Sequence, residues 1–263
     1  MYSITKRVTD IKQPYGCYLP RREFCVVRYS DDKKLNPQEN VSSALVGLAV
    51  DYLTRVYTGT KPATAFKVSI FGARRYDTVM KEVKGLKTNE AKRAKELLTQ
   101  IGELNKDTVR AACKLCGYDV CTRDTIVGFQ AIDQIEPDDA TCENIITMVQ
   151  RAVTYFTETA MVKKVGFNFE GAYTDMIDQG EGDILTSEGV WDITTSKNKP
   201  NSKDTLKVLI WYIMGKNSKH AAFKKVKMLG IFNARRNEAY FVYAKSVPEE
   251  VEKEVAEEVI GLW

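Results

Sequence analysis

Apolar residues recur three and four positions apart from Ala44 to Val56 (Ala44, Leu45, Leu48, Ala49, Tyr52, Leu53, Val56). That period places them on one face of a helix, with Ser42 or Asn40 as the cap and Gly59 as the stop. A second helix is expected after Pro62, a charged pattern of helix and turn from Lys84 to Leu104, and a short helix from Asp107 to Leu115. Gly117 to Val127 reads as irregular or as strand. Pro137-Asp138-Asp139 then opens a long helix to about Thr159, whose buried stripe is Ile145, Met148, Val149, Ala152, Val153 and Phe156. The acids suit its positive N-terminal end.

Beyond Met161 the period changes. Val165 to Thr174, which carries Glu170, reads as a strand, as do Gly182 to Thr186 and Val190 to Thr195, the last two joined by a turn at Ser187-Glu188-Gly189. Pro200 to Ser202 sets up a helix to about Met214. Two further strands follow, Val226 to Asn233 and Glu238 to Tyr243, around an Ala234-to-Asn237 turn. The first 35 residues add one short strand, Cys25 to Tyr29, and say little about chemistry. The order of helix, three strands, helix and strand predicts an α/β fold with a mixed central sheet, preceded by a helical N-terminal half. No repeat or low-complexity linker interrupts it, so residues 1–136 are expected to pack on a core of 137–263 as one compact unit.

Composition fits a globular chain: 263 residues, 44% hydrophobic and 28% charged. No run of about 18 apolar residues is present, and the start lacks the apolar core of a signal peptide, so the expectation is a cytoplasmic protein with no membrane partner. Six scattered cysteines are too few for a disulfide framework in such a chain. The triplet Cys113, Cys116 and Cys121 could bind metal, yet the only histidine, His220, is far off; buried thiols are the simpler reading.

Charge is unevenly spread. The segment Glu249 to Glu258 holds six glutamates and one lysine, so the rest of the chain sums to +9 against a total of +4. Between Thr194 and Met228 nine lysines face a single acid, Asp204. Such a run suits a polyanion such as nucleic acid, with a merely solvated lysine face as the alternative. The lysines and arginines between Lys84 and Lys95 fit a solvated helix face better than a phosphate contact.

Glu170, Asp183 and Asp192 are three carboxylates that local folding could gather. Asp192 and Thr194 share one face of their strand. A two-residue hairpin at Glu188-Gly189 would set Asp183 opposite Thr194 and diagonal to Asp192 on that face, whereas a three-residue loop would put the two aspartates on opposite faces. Two carboxylates so close need a cation or a proton between them, and Mg²⁺ (or Mn²⁺) suits them because it takes oxygen ligands and keeps waters that can attack a phosphodiester. On the following helix Lys203, Lys207 and Trp211 share one stripe, with Leu206, Leu209, Ile210 and Ile213 packing inward. A lysine there could orient water and offset transition-state charge. The alternative is two strand-edge acids and a snorkelling lysine.

These residues resemble the PD-(D/E)XK nuclease superfamily, in particular the branch of nuclease domains in bacterial recombination-repair helicases. The resemblance spans Pro137 to Tyr243 and implies a restriction-endonuclease-like αβββαβ core, with Asp183 as the first metal-binding acid, Asp192 as the second and Glu170 as an additional upstream acid. The chain departs from the pattern at two places. Thr194 stands where the family has its catalytic lysine, and Lys207-x-x-x-Trp211 stands where it has Gln-x-x-x-Tyr. Lys207 could supply the missing charge, with Lys197 as a second candidate. The resemblance implies a Mg²⁺-dependent nuclease acting on DNA, with Lys199, Lys203 and Trp211 contacting nucleic acid. The alternative is a nuclease-fold protein without catalysis that binds nucleic acid or a protein partner, for example in phage defence or counter-defence.

Overall fold

A computed structural model describes residues 2–122 and 128–263. Packing divides the chain into two units: the residues up to Asp31 together with Thr154–Trp263, and Asp32–Val153. The expected boundary at 136/137 therefore moves, because the strand of the N-terminal arm belongs to the sheet of the C-terminal half and most of the long helix packs with the helical unit.

The helical unit contains α2 (Ser43–Tyr57), α3 (Pro62–Ala65), α4 (Lys67–Lys84), α5 (Glu90–Leu98), α6 (Lys106–Cys116) and most of α7 (Asp139–Thr154). Ser42 caps α2 by accepting the Leu45 N–H, and Asp138 accepts the Thr141 N–H at 2.7 Å at the head of α7. Of the stretch from Gly117 to Val127, residues 119–122 form a 3₁₀ turn and 123–127 lie outside the described residues. Cys113, Cys116, Cys121 and Cys142 are buried free thiols whose ionisation is suppressed by burial, with Cys121 pushed up to about 11. Among the described residues no group of three or more His, Cys, Asp or Glu side chains stands together as a metal cluster.

The other unit is built on a six-stranded sheet: β1 (Cys25–Arg28), β2 (Val162–Phe167), β3 (Gly182–Thr186), β4 (Gly189–Thr194), β5 (Met228–Asn233) and β6 (Glu238–Tyr243), in the spatial order β1-β6-β5-β4-β3-β2. Strands β2, β3 and β4 form an antiparallel meander, and β4 pairs in parallel with β5. A parallel pair needs a crossover, which α8 (Ser202–Asn217) provides. The order helix, three strands, helix, strand is thus present along the chain, extended by β6 and edged by β1.

One face of the sheet (Leu185, Val190, Leu229, Ile231, Tyr240, Val242) packs on α8. The opposite side of α8 is covered by Ile4 and Val8 of α1 (Ile4–Asp10) and by Val255, Val259 and Ile260 of a π-helical turn that follows α9 (Glu249–Glu254). Enclosed on both sides, α8 is apolar nearly all round, as a sandwiched helix must be. The acidic C-terminal segment is accordingly amphipathic rather than a free tail, and its Glu252 pairs with Lys216 at 2.7 Å. The other face of the sheet carries Trp191 and Phe232, against which Tyr155 and Phe156 pack; the Tyr155 and Phe232 rings are 4.5 Å apart and nearly parallel.

Asn201 starts α8 with a full capping box: its side chain accepts the Lys203 N–H at 2.8 Å, and Asp204 reaches back to the Asn201 N–H at 2.8 Å. Asn201→Ala is expected to cost about 1 kcal/mol, read as a lower urea midpoint with an unchanged slope. No helix of the described residues is long and apolar enough to cross a membrane.

Candidate active site

The hairpin between β3 and β4 decides where the aspartates lie. Ile184 pairs with Trp191 and Leu185 with Val190, which leaves Ser187-Glu188 as the two-residue loop in place of the expected Glu188-Gly189. The slip is two residues, so the faces are preserved. Continued by one pair, this register sets Asp183 directly opposite Asp192 rather than opposite Thr194. Both side chains emerge on the α8 face, because Asp192 alternates with Val190 and lies beside Ile231 of β5.

Asp192 is 1% exposed. Asp183 holds its neighbour strand through Oδ2, which accepts the Ile193 N–H at 3.0 Å. From α8, Lys207 comes down onto the pair, its Nζ 2.7 Å from Asp192 Oδ1, with a quarter of its side-chain surface open. The approach is an ion pair off the direction of a hydrogen bond, so Asp192 Oδ1 has no directed donor among the described residues.

Burial drives the Asp192 carboxyl well above the ordinary range; Lys207 opposes this, and the neighbouring charge of Asp183 adds to it. For Lys207 desolvation works against the charged form, but Asp192 and then Asp183 outweigh it, and its pKa is raised. The charged form of the lysine is thus favoured, and burial favours the protonated form of Asp192. Two opposed carboxylates, one with a buried oxygen lacking a directed donor, form an all-oxygen donor set that fits Mg²⁺ or Mn²⁺, which use few protein carboxylates.

The remaining expected site residues fall elsewhere. Strand β2 ends at Phe167, three residues before Glu170, because the chain turns there and Gly171 takes a positive φ. Glu170 stands on this turn, exposed, its carboxylate 3.1 Å from Lys219 Nζ rather than with the aspartates. Trp211 is buried at 3% exposure, packed on Phe167 with ring centres 6.1 Å apart, and offers no surface for base stacking. The stripe of Lys203, Lys207 and Trp211 is not a solvent face: Lys203 lies exposed in the first turn, and the next two residues point into the enclosed part of α8. Thr194 does lie on the Asp192 face, and its Oγ1 accepts the Ser196 N–H at 3.3 Å. Lys197 and Lys199 are exposed on the loop between β4 and α8. Three lysines of the basic run are neutralised by glutamates, Lys216 by Glu252, Lys219 by Glu170 and Lys227 by Glu188 at 2.6 Å.

Sequence reasoning expected the Ala234-to-Asn237 turn and missed its grip on the loop carrying Lys197 and Lys199. Its signal was an Asn-Ala-Arg-Arg-Asn run too polar for a bare hairpin turn. The chain matches no family model, no curated protein and no solved structure in any of the three comparisons.

Proposed function

We propose that the protein is a metal-dependent nuclease of the PD-(D/E)XK kind, hydrolysing phosphodiesters in DNA at the Asp183, Asp192 and Lys207 cluster. The observation that carries this reading is the 2.7 Å approach of Lys207 Nζ to Asp192 Oδ1. It brings a cation from a separate element to the carboxylates, in the role that Thr194 cannot fill, since a hydroxyl carries no charge. A divalent ion held by Asp183 and Asp192 would supply Lewis-acid stabilisation of phosphate charge and a lower pKa for attacking water.

The chain's own residues do the rest. Burial favours the protonated form of Asp192, and a cation held there requires the ionised form, so ion binding is expected to strengthen as pH rises. Lys207, held protonated by both carboxylates, offsets negative charge developing on the phosphoryl oxygens and is not a general base at neutral pH. Apolar packing of β4 and α8 around the cluster keeps the local dielectric low, which enlarges each of these terms.

The test is incubation with single-stranded and duplex DNA and RNA in Mg²⁺ or Mn²⁺, beside an Asp183→Ala plus Asp192→Ala control. Cleavage that survives the double substitution sinks the assignment. Salt-sensitive DNA binding without cleavage would turn the reading into the binding-module alternative. Lys207→Met, which keeps the stem and removes the charge, is expected to slow cleavage by ~10²–10³-fold, with Lys207→Arg retaining part of the rate. Equal rates for Lys207→Met and wild type would remove Lys207 from the mechanism.

A further inference from the structure

Five successive backbone carbonyls after the β4 aspartate are held by one short turn. The Ala234 N–H donates to Thr194 O at 2.9 Å. Arg235 Nε donates to Thr195 O at 2.7 Å, and Arg236 Nη1 to Lys197 O at 3.2 Å. Asn233 Nδ2 reaches both Ser196 O at 2.9 Å and Asn198 O at 3.2 Å. Each donor comes from the last residue of β5 or the turn that follows it.

The turn is itself braced. Asn233 is fully buried, and its Oδ1 accepts the Arg236 N–H at 3.1 Å. Arg236 Nε donates to Glu238 Oε2 at 2.7 Å, and Glu238, 4% exposed, also binds Arg28 and the Tyr240 hydroxyl. A connection between a strand and a crossover helix needs no such grip for its own sake. An exposed loop of Ser, Asn and Lys would otherwise satisfy its carbonyls with water and move freely. The bond to Thr194 O continues the β4–β5 ladder; drawing the four loop carbonyls from Thr195 to Asn198 toward β5 and β6 as well gives the backbone one conformation, while Lys197 and Lys199 stay exposed at the end of β4 that carries Asp192 and beside the start of the helix that carries Lys207.

We infer that Asn233, Arg235 and Arg236 are positioning residues that fix the loop from Thr195 to Lys199 so that Lys197 and Lys199 form a preorganised phosphate clamp beside the aspartate pair. The inference rests on the nuclease reading for its ligand, a nucleic-acid backbone. Charge alone would let these lysines contact phosphate from a mobile loop; the clamp removes the ordering entropy that a mobile loop spends on binding.

The test is a thermodynamic cycle on the full chain, with a short fluorescein-labelled duplex as probe, titrated in chelator over a range of salt. Arg235→Ala is expected to weaken binding and to raise KM by a larger factor than it lowers kcat. Lys197→Ala plus Lys199→Ala should lower the salt slope by about 2, since each phosphate contact contributes about 0.9. Adding Arg235→Ala to that lysine pair should cost nothing further, because the clamp acts only through the lysines. Additive losses, or an Arg235→Ala protein that binds like wild type, overturn the inference. Asn233→Ala gives the same reading if it folds, and Arg235→Ala carries the test if it does not. A merely structural role would move the melting temperature and kcat without this non-additivity. If wild type neither cleaves nor binds nucleic acid, the nuclease reading fails and the clamp with it; if wild type binds and the cycle is additive, only the clamp fails.

Discussion

Asp192→Asn is expected to abolish metal-dependent cleavage and, at the same time, to raise the melting temperature at neutral pH. The first effect follows from the loss of one of two carboxylates in the proposed ion site and should amount to ~10²–10³-fold or more. The second follows from linkage. Burial, reinforced by Asp183 and only partly relieved by Lys207, holds the folded-state pKa of Asp192 above the unfolded value of about 3.9. Between those two values the folded protein binds more protons than the unfolded chain, so wild type loses stability as pH rises through that window. Asparagine has no such proton to lose. The gain in melting temperature of the variant over wild type should be absent below about pH 4 and grow as pH rises. Lys207 keeps Asp183 as its counter-charge, so the variant does not strand a buried cation. Melting curves across pH read the effect; a variant less stable than wild type at pH 7 and equal at pH 4 would mean that the Asp192 carboxylate stabilises the fold and is not a strained functional group.

Trp191→Ala is expected to give the largest loss of stability, about 3–5 kcal/mol, a large part of the 5–15 kcal/mol that domains of this kind possess. The indole is 2% exposed on the β4 face opposite Asp192, with Tyr155 at 5.2 Å, Phe156 at 6.2 Å and Phe241 at 6.4 Å between ring centres. It lies flat across β5 because Gly230 has no side chain; a Cβ there would stand 2.1 Å from Trp191 Cε3. Removing the ring opens a cavity that the packed aromatics cannot close, since Tyr155 and Phe156 are each already held by at least two other rings and Phe241 by Tyr243. Gly230→Ala attacks the same contact from below and should cost about 1–3 kcal/mol by overpacking. Denaturant titration followed by circular dichroism tests both. The chain has two packed units, so the unit with the sheet should unfold earlier while the helical unit keeps its own transition. A Trp191→Ala midpoint indistinguishable from wild type would show that the aromatic layer is not what holds the sheet.

Much of the fold was legible because it is written in local periods. The α2 stripe and its serine cap, the 139–154 helix behind its aspartates, β3, β5, β6 and the α8 start all follow from residues within a few positions of one another. Glu170 was misplaced for the opposite reason: the strand-like alternation Phe167-Asn168-Phe169-Glu170 continues past the end of β2, and only the turn at Gly171 shows that the strand has ended. For Asp183 and Asp192 the sequence left two loop lengths open; the two-residue loop is present in a shifted position and puts both on one face, since parity alone decides the face and the register needs the hydrogen-bonded pairs. Trp211 and Lys207 were read as one surface stripe because four-residue spacing cannot tell a helix with one covered side from a helix enclosed on two. The covering elements, α1 and the C-terminal π-helical turn, lie some two hundred and some fifty residues away in sequence.

What the sequence by itself determined is therefore most of the elements between α2 and β6, their order and a two-residue hairpin as the condition that puts the two aspartates on one face: each depends on short-range stereochemistry, the period of side chains and the chemistry of caps and turns. What only the tertiary structure decided is which groups meet. Lys207 reaches Asp192, Glu170 goes to Lys219, and the 233–237 turn seizes the loop after β4. Those outcomes depend on how layers stack and on which buried polar atoms find partners, and burial acts between residues that no sequence interval links.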